Sequence, residues 1–136
     1  MQSRSMDQLA SAFFGALEEG DLDTVDGLYH PNATVWHNYD SAEQTRAESL
    51  ATLAWVVRNV ADRRYEVVER VVLDDGFVQQ HVLHGDAVGG RLELAAMMRV
   101  KVADGLITRI DEYLDTAQLG VLRSSAERAG RTREEV

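Results

Sequence analysis

The chain has 136 residues, 45% hydrophobic and 27% charged, which is enough for one globular core and not for two. Its formal net charge of −9 is spread along the chain; that field repels phosphate backbones and anionic lipid, so neither nucleic acid nor membrane is expected as a partner. The absence of Cys removes disulfides, thiolate chemistry and Cys-ligated metals together. Met1 to Asp7 carries no apolar leader, and no run approaches the ~20 apolar residues of a membrane span, so a cytoplasmic location is expected.

Leu9, Phe13 and Leu17 recur at a spacing of four and predict an amphipathic helix from about Met6 to Glu19, stopped by Gly20. Asp21 can cap a second helix whose apolar face is Leu22, Val25, Leu28 and Tyr29. Pro31 ends it, because the residue before a proline is pushed away from helical dihedrals, and Ala33 to His37 then reads as a strand. Ser41-Ala42-Glu43-Gln44 has the form of a capping box opening a third helix to about Val60, with a buried stripe of Leu50, Leu53, Ala54, Val57 and Ala61.

From Arg64 the period changes to two. Tyr65 to Leu73 predicts a strand, and Asp74-Asp75-Gly76 is a hairpin signal. Phe77 to Gly85 and Leu92 to Val102 follow as strands; the second places Leu92, Leu94, Ala96, Met98, Val100 and Val102 on one face. Asp104-Gly105 turns the chain once more into Leu106 to Asp115. Four consecutive strands with short turns make an antiparallel meander behind three helices, an α+β arrangement within a single domain. Its core runs over about 6–122; a short helix and a charged tail, 123–136, end the chain. The outer sheet face is expected to carry Tyr65, Val67, Val71 and Met97.

Glu112 stands between Ile110 and Leu114 on an apolar face, where a carboxylate needs a partner or a shifted pKa. Turns centred near residues 88 and 104 would set His81, Ala96 and Glu112 in one row across three strands, with outer backbones about 9–10 Å apart. Glu112 could then orient the His81 imidazole and raise its basicity, directly or through one water. His37 ends the first strand beside Trp36 and Asn38; neighbours on a strand point oppositely, so Trp36 and His37 cannot both face inward without a bulge. His84 has the opposite parity to His81 and is expected outside. Phe13, Trp55 and Met98 are candidate pocket walls, with ordinary core packing as their other fate. His37, His81 and Glu112 are thus the acid/base candidates. They lie on separate strands with no local ligand spacing, so neither a metal nor a cofactor is expected.

The order of elements, with Glu19-Gly20-Asp21-Leu22-Asp23, Asn32-Ala33-Thr34-Val35, and Gly105 to Ile110 leading to Tyr113-Leu114-Asp115, resembles the nuclear transport factor 2-like superfamily, and within it the SnoaL-like branch, over roughly Met6 to Leu122. The resemblance implies a cone of three helices wrapped in a strongly curved sheet, a pocket for a small apolar ligand, and a homodimer. Matched against ketosteroid isomerases, the catalytic Asp, the oxyanion-hole Tyr and the protonated Asp fall on His37, Phe13 and Ala96; the loss of both donors argues against that mechanism. Matched against limonene epoxide hydrolases, Gly89-Gly90-Arg91 resembles their Gly-Gly-Arg loop. Their Asp/Arg/Asp set falls on Glu112, His81 and Leu83, and their water-holding Tyr and Asn on Trp36 and Asn38. Two functions follow from the resemblance: an acid/base enzyme (isomerase, cyclase or hydrolase) on a small apolar oxygenated compound, or a non-catalytic ligand-binding or stress-related domain.

Overall fold

A computed structural model describes residues 5–123. Helix α1 (Met6–Glu19) opens with a reciprocal capping box between Ser5 and Gln8. It closes on Gly20 at φ 76°, a left-handed position that Gly occupies without steric cost. Asp21 caps α2 (Leu22–Leu28) through the Thr24 backbone amide, as the sequence predicts. Tyr29 is not its last residue. It begins β1 (Tyr29–His37), which runs through Pro31 and alternates buried Ala33, Val35 and His37 with less buried neighbours.

The third helix starts later than expected. Ser41 has φ 53° and caps nothing; Glu43–Thr45 forms a short strand, β2, paired antiparallel with β1. The capping box belongs to Thr45 and Glu48, which open α3 (Arg46–Asn59). A Ser followed by Gln and a Thr followed by Glu satisfy the same pattern, and strand pairing decided between them. The face that α3 turns inward sets Ser49, Thr52, Leu53 and Val56 on the cavity and packs Leu50 against the core as expected; Ala61 already lies in β3.

Strands β3 (Val60–Leu73), β4 (Gly76–Ala87), β5 (Gly90–Ala103) and β6 (Leu106–Leu114) form the expected antiparallel meander. The full sheet is six-stranded, curved and open, in the order β2-β1-β6-β5-β4-β3. It is not wholly antiparallel: β1 and β6 run side by side in the same direction. The whole of α3 and the meander separate these strands in sequence, so no turn signal could announce their pairing. Beyond β6 come a 3₁₀ turn (Thr116–Gln118) and helical residues 119–123. The expected charged tail, beyond its first residue, lies outside the described residues. No helix among the described residues is long and apolar enough to cross a membrane.

The helices fill the concave face of the sheet. Leu9, Phe13, Phe14 and Leu17 of α1 pack with Phe77, Met98, Val100, Ile107 and Ile110 of the strands. Each such side chain stabilises the fold by roughly 1.5–3 kcal/mol on burial. A second cluster joins Val60, Leu83, Leu92 and Leu94. Arg63, beside a bulge between Ala61 and Arg64, ties the assembly together. Its guanidinium donates to Leu17 O (2.8 Å) and Glu18 O (3.1 Å) of α1, and to Val57 O (3.0 Å) and Val60 O (2.6 Å) at the end of α3. Glu18 and Val57 lie in the last turns of their helices, where intrahelical donors run out, while Leu17 O also accepts from Gly20 N (3.3 Å) and Val60 caps α3.

The candidate active site

A cavity of about 140 Å³ lies between α1, α3 and the sheet. That is close to the ~150 Å³ of an engineered apolar cavity that accepts benzene. Its walls are largely apolar, from Phe13 and Phe14 of α1 to Leu53 and Val56 of α3 and Met98 and Ile110 of the sheet. Among the described lining residues Glu112 is the one acidic group, and there is no Lys or Arg.

Parallel pairing of β1 and β6 sets His37 beside Glu112, and the two side chains meet at 3.2 Å (Nε2 to Oε1). Their side chains are 10% and 18% exposed, so the interaction is only weakly screened. No group among the described residues takes up the other ring nitrogen of His37, Nδ1. The ring of Tyr39 lies over His37, with centroids 5.2 Å apart. The partner of Glu112 is therefore His37, not His81. Sequence could supply both residues but not the parallel pairing that joins them.

His81 also lines the cavity, one diagonal step from Glu112. It sits opposite Ala96 as expected, but Ala96 faces Leu114, and Glu112 faces Met98. The two-residue turn at Asp104-Gly105 moves the register by one residue, and a bulge at Lys101/Val102 moves it by another. A shift of two preserves the face and changes the neighbour. His81 is held by Gln79, whose Nε2 lies 2.8 Å from Nδ1. Its ring makes edge contacts with Phe14 and Tyr65, each at 5.2 Å.

Three tyrosines complete the wall. Tyr29 shares a 3.2 Å hydrogen bond with Ser49 and is pushed up to about 12, mainly by burial. Burial, with the nearby Glu112 charge behind it, also raises Tyr65. Tyr39 is raised by burial, then by the charges of Asp40 and Glu112. All three phenols are thus neutral at ordinary pH. Tyr65 was expected on the outer face, but β3 pairs it with inward-facing Leu83. Val67 shares the inward face of His81, although at 42% exposure it lies at the open sheet edge. Gln79, fully buried, was also missed; the alternation Phe77, Gln79, His81, Leu83 carries that signal in the sequence.

Of the other candidates, Phe13 and Met98 line the cavity. Trp36 does not: it turns outward and its ring meets Tyr113 at 5.2 Å, as strand parity requires once His37 points inward. Asn38 extends the β1–β6 pairing, accepting from Leu114 N (2.9 Å) and donating to Leu114 O (3.4 Å), and is not a cavity group. Trp55 is half-buried on α3, off its lining stripe. His84 is outside, paired with Glu66 at 2.8 Å. No group of three or more His, Asp or Glu side chains among the described residues could hold a metal ion.

Burial lowers the pKa of His81 below its ordinary 6.5, Glu112 partly opposes this, and Arg70 reinforces it. The unfolded chain therefore takes up a proton that the native site refuses. His81 should contribute stability that is intact above about pH 6.5 and lost progressively as pH falls below it. Melting temperatures followed from about pH 7 to about pH 5 should fall less steeply in His81→Asn than in the wild type.

The chain belongs to the SnoaL-like domain family, whose model matches residues 10–110. No curated protein matches it. Among solved structures it resembles PrhC from Penicillium brasilianum NBRC 6234 (TM-score 0.81, 15% identity, covering 91% of this chain and 89% of that one). It also resembles a Mycobacterium tuberculosis epoxide hydrolase of the limonene epoxide hydrolase-like type (0.71, 18%, 93% and 96%). A third is a protein with a ketosteroid isomerase-like fold from Catenulispora acidiphila DSM 44928, solved with trimethylamine (0.74, 14%, 90% and 95%). At these identities the likeness is one of fold, and it is the cone anticipated from the order of elements.

Proposed function

We propose that the protein is an acid/base enzyme acting on a small, apolar, oxygenated molecule, by isomerisation, cyclisation or addition of water. One observation carries this reading: a His37–Glu112 pair, nearly buried, on the wall of an otherwise apolar cavity. A carboxylate beside an imidazole fixes its tautomer and stabilises the imidazolium that forms when the ring takes a proton. Apolar walls strengthen that interaction by keeping the local dielectric low. The lack of a lining cation among the described residues disfavours carboxylate or phosphate substrates, and the volume suits a single ring. Turnover of a panel of monocyclic epoxides and enones by the wild type, with no turnover by His37→Asn, supports the reading. Activity surviving that substitution at full rate excludes it.

A second reading uses the same carboxylate without catalysis. Aromatic rings around a single negative group suit a small ammonium ion, and one structural neighbour was solved with trimethylamine. Saturable binding of trimethylammonium, lost in Glu112→Gln, together with an inert substrate panel, would favour this alternative.

Self-association is proposed as well. Met97 and Tyr113 are paired neighbours on the convex face, 45% and 55% exposed, with Trp36 against Tyr113. Such a patch is a natural contact for a second copy. Light scattering at micromolar concentration should give a dimer mass, and Met97→Glu should give a monomer.

A further inference from the structure

The buried end of the cavity is wired to the surface. Arg70 of β3 donates from Nη1 to Asp7 (2.6 Å) and Ser11 (3.3 Å) of α1, and from Nε to Gln79 Oε1 (2.8 Å). Gln79 in turn lies 2.8 Å from His81 Nδ1. Chemistry fixes the direction of every bond in this chain. A guanidinium has donors only, so the Gln79 oxygen must face Arg70 and its NH₂ must face His81. An NH₂ group only donates, so Nδ1 must accept and carries no hydrogen. In the neutral ring the proton then resides on Nε2. No side chain among the described residues takes up that nitrogen, and His81 is a cavity wall.

We propose that Arg70 and Gln79 are positioning residues that lock His81 as its Nε2–H tautomer, a permanent neutral donor that selects an uncharged ligand presenting an acceptor oxygen. The tautomer stands on this geometry alone; its use toward a ligand rests on the enzyme reading above. His81 would then have the opposite role to His37. The His37–Glu112 pair exchanges a proton with the substrate, and His81 donates a hydrogen bond to the oxygen on which charge develops, as an oxyanion-hole group does. This supplies the kind of donor that Phe13 and Ala96 cannot. The groups that bear on the protonation of His81 are Arg70 and Tyr65 from β3 and Glu112 from β6. α1 contributes the uncharged Phe14 and β5 the uncharged Ala96.

Long-range ¹H–¹⁵N NMR correlation of the ¹⁵N-histidine-labelled protein reads the tautomer directly, with His81 assigned by the signals missing in His81→Asn. In the wild type at neutral pH, Nδ1 should resonate as an unprotonated nitrogen and Nε2 as an N–H. Gln79→Glu, nearly isosteric, places a carboxylate between the guanidinium and the ring, and Nδ1 should gain a proton. A merely structural Gln79 would leave the proton where it is. A wild-type His81 protonated at Nδ1, or a Gln79→Glu variant with Nδ1 still bare, overturns the lock. For the ligand, cyclohex-2-enone should shift the His81 Nε2–H signal and benzoate should not. An equal shift by benzoate, or movement of cavity methyl signals by the enone without His81, overturns the selection of an uncharged oxygen. If no cavity signal moves with either probe, the ligand assignment falls together with the pocket reading, while a correct tautomer would still stand.

Discussion

Glu112→Gln is expected to keep the fold and to lower turnover of any substrate the cavity accepts by about 10²-fold or more, the usual contribution of a positioned acid or base. Shape and volume are nearly conserved, and the amide can still meet His37 across 3.2 Å. What disappears is the negative charge that stabilises a protonated imidazole in a site with no other lining carboxylate among the described residues. The loss should fall on kcat and kcat/KM together, since the charge matters most when the proton has moved. An unchanged melting temperature with this loss assigns it to chemistry. Full activity would remove Glu112 from the mechanism and leave the ammonium-binding alternative to be tested.

Arg63→Ala is expected to destabilise the protein by about 3 kcal/mol, lowering the melting temperature by roughly 10 °C. Four carbonyls receive hydrogen bonds from this one guanidinium, at the ends of two different helices. Truncation takes a donor away from partly buried carbonyls at the ends of α1 and α3 and removes a positive charge from two negative helix ends. Arg63→Lys should recover only part of this, because one ammonium cannot span both helices with a fixed fork of donors. Denaturant melts of the three proteins decide the matter. A change below about 0.5 kcal/mol for Arg63→Ala would show that water replaces the guanidinium without cost.

Much of this fold is legible in local sequence. The alternation from Leu92 to Val102 marks the inward face of β5, of which all but half-buried Val102 are buried, and Gly20 and Asp21 mark the joint between α1 and α2. The parity rule separates Trp36 from His37 without settling which one enters, and burial then favours His37. What sequence could not show is long-range. Parallel pairing of β1 with β6 creates the His37–Glu112 contact, and nothing local encodes it. A tighter turn and a bulge, one residue each, together move Glu112 from Ala96 to Met98, and the insertion of one residue has no signature in a periodic pattern. Gln79 was legible in principle, since it shares parity with His81, whereas the inward turn of Tyr65 follows only from its pairing with Leu83.

The helix that walls the cavity, α3, buries only Ser49 fully. Its remaining inward residues are half-covered; Arg46 pairs with Asp26 and Arg63 grips Val57 at its ends, and between them single hydrogen bonds, one shared by Ser49 and Tyr29 and one from Gln44 to Thr52, hold it laterally. The opposite wall is a hydrogen-bonded sheet that can yield little. A space bounded by one firm wall and one lightly seated wall behaves less like a mould than like a vice with a single moving jaw. Discrimination between ligands of different girth then falls to the spacing of Thr52, Leu53 and Val56 from the sheet, and discrimination by chemistry to the groups fixed on the strands.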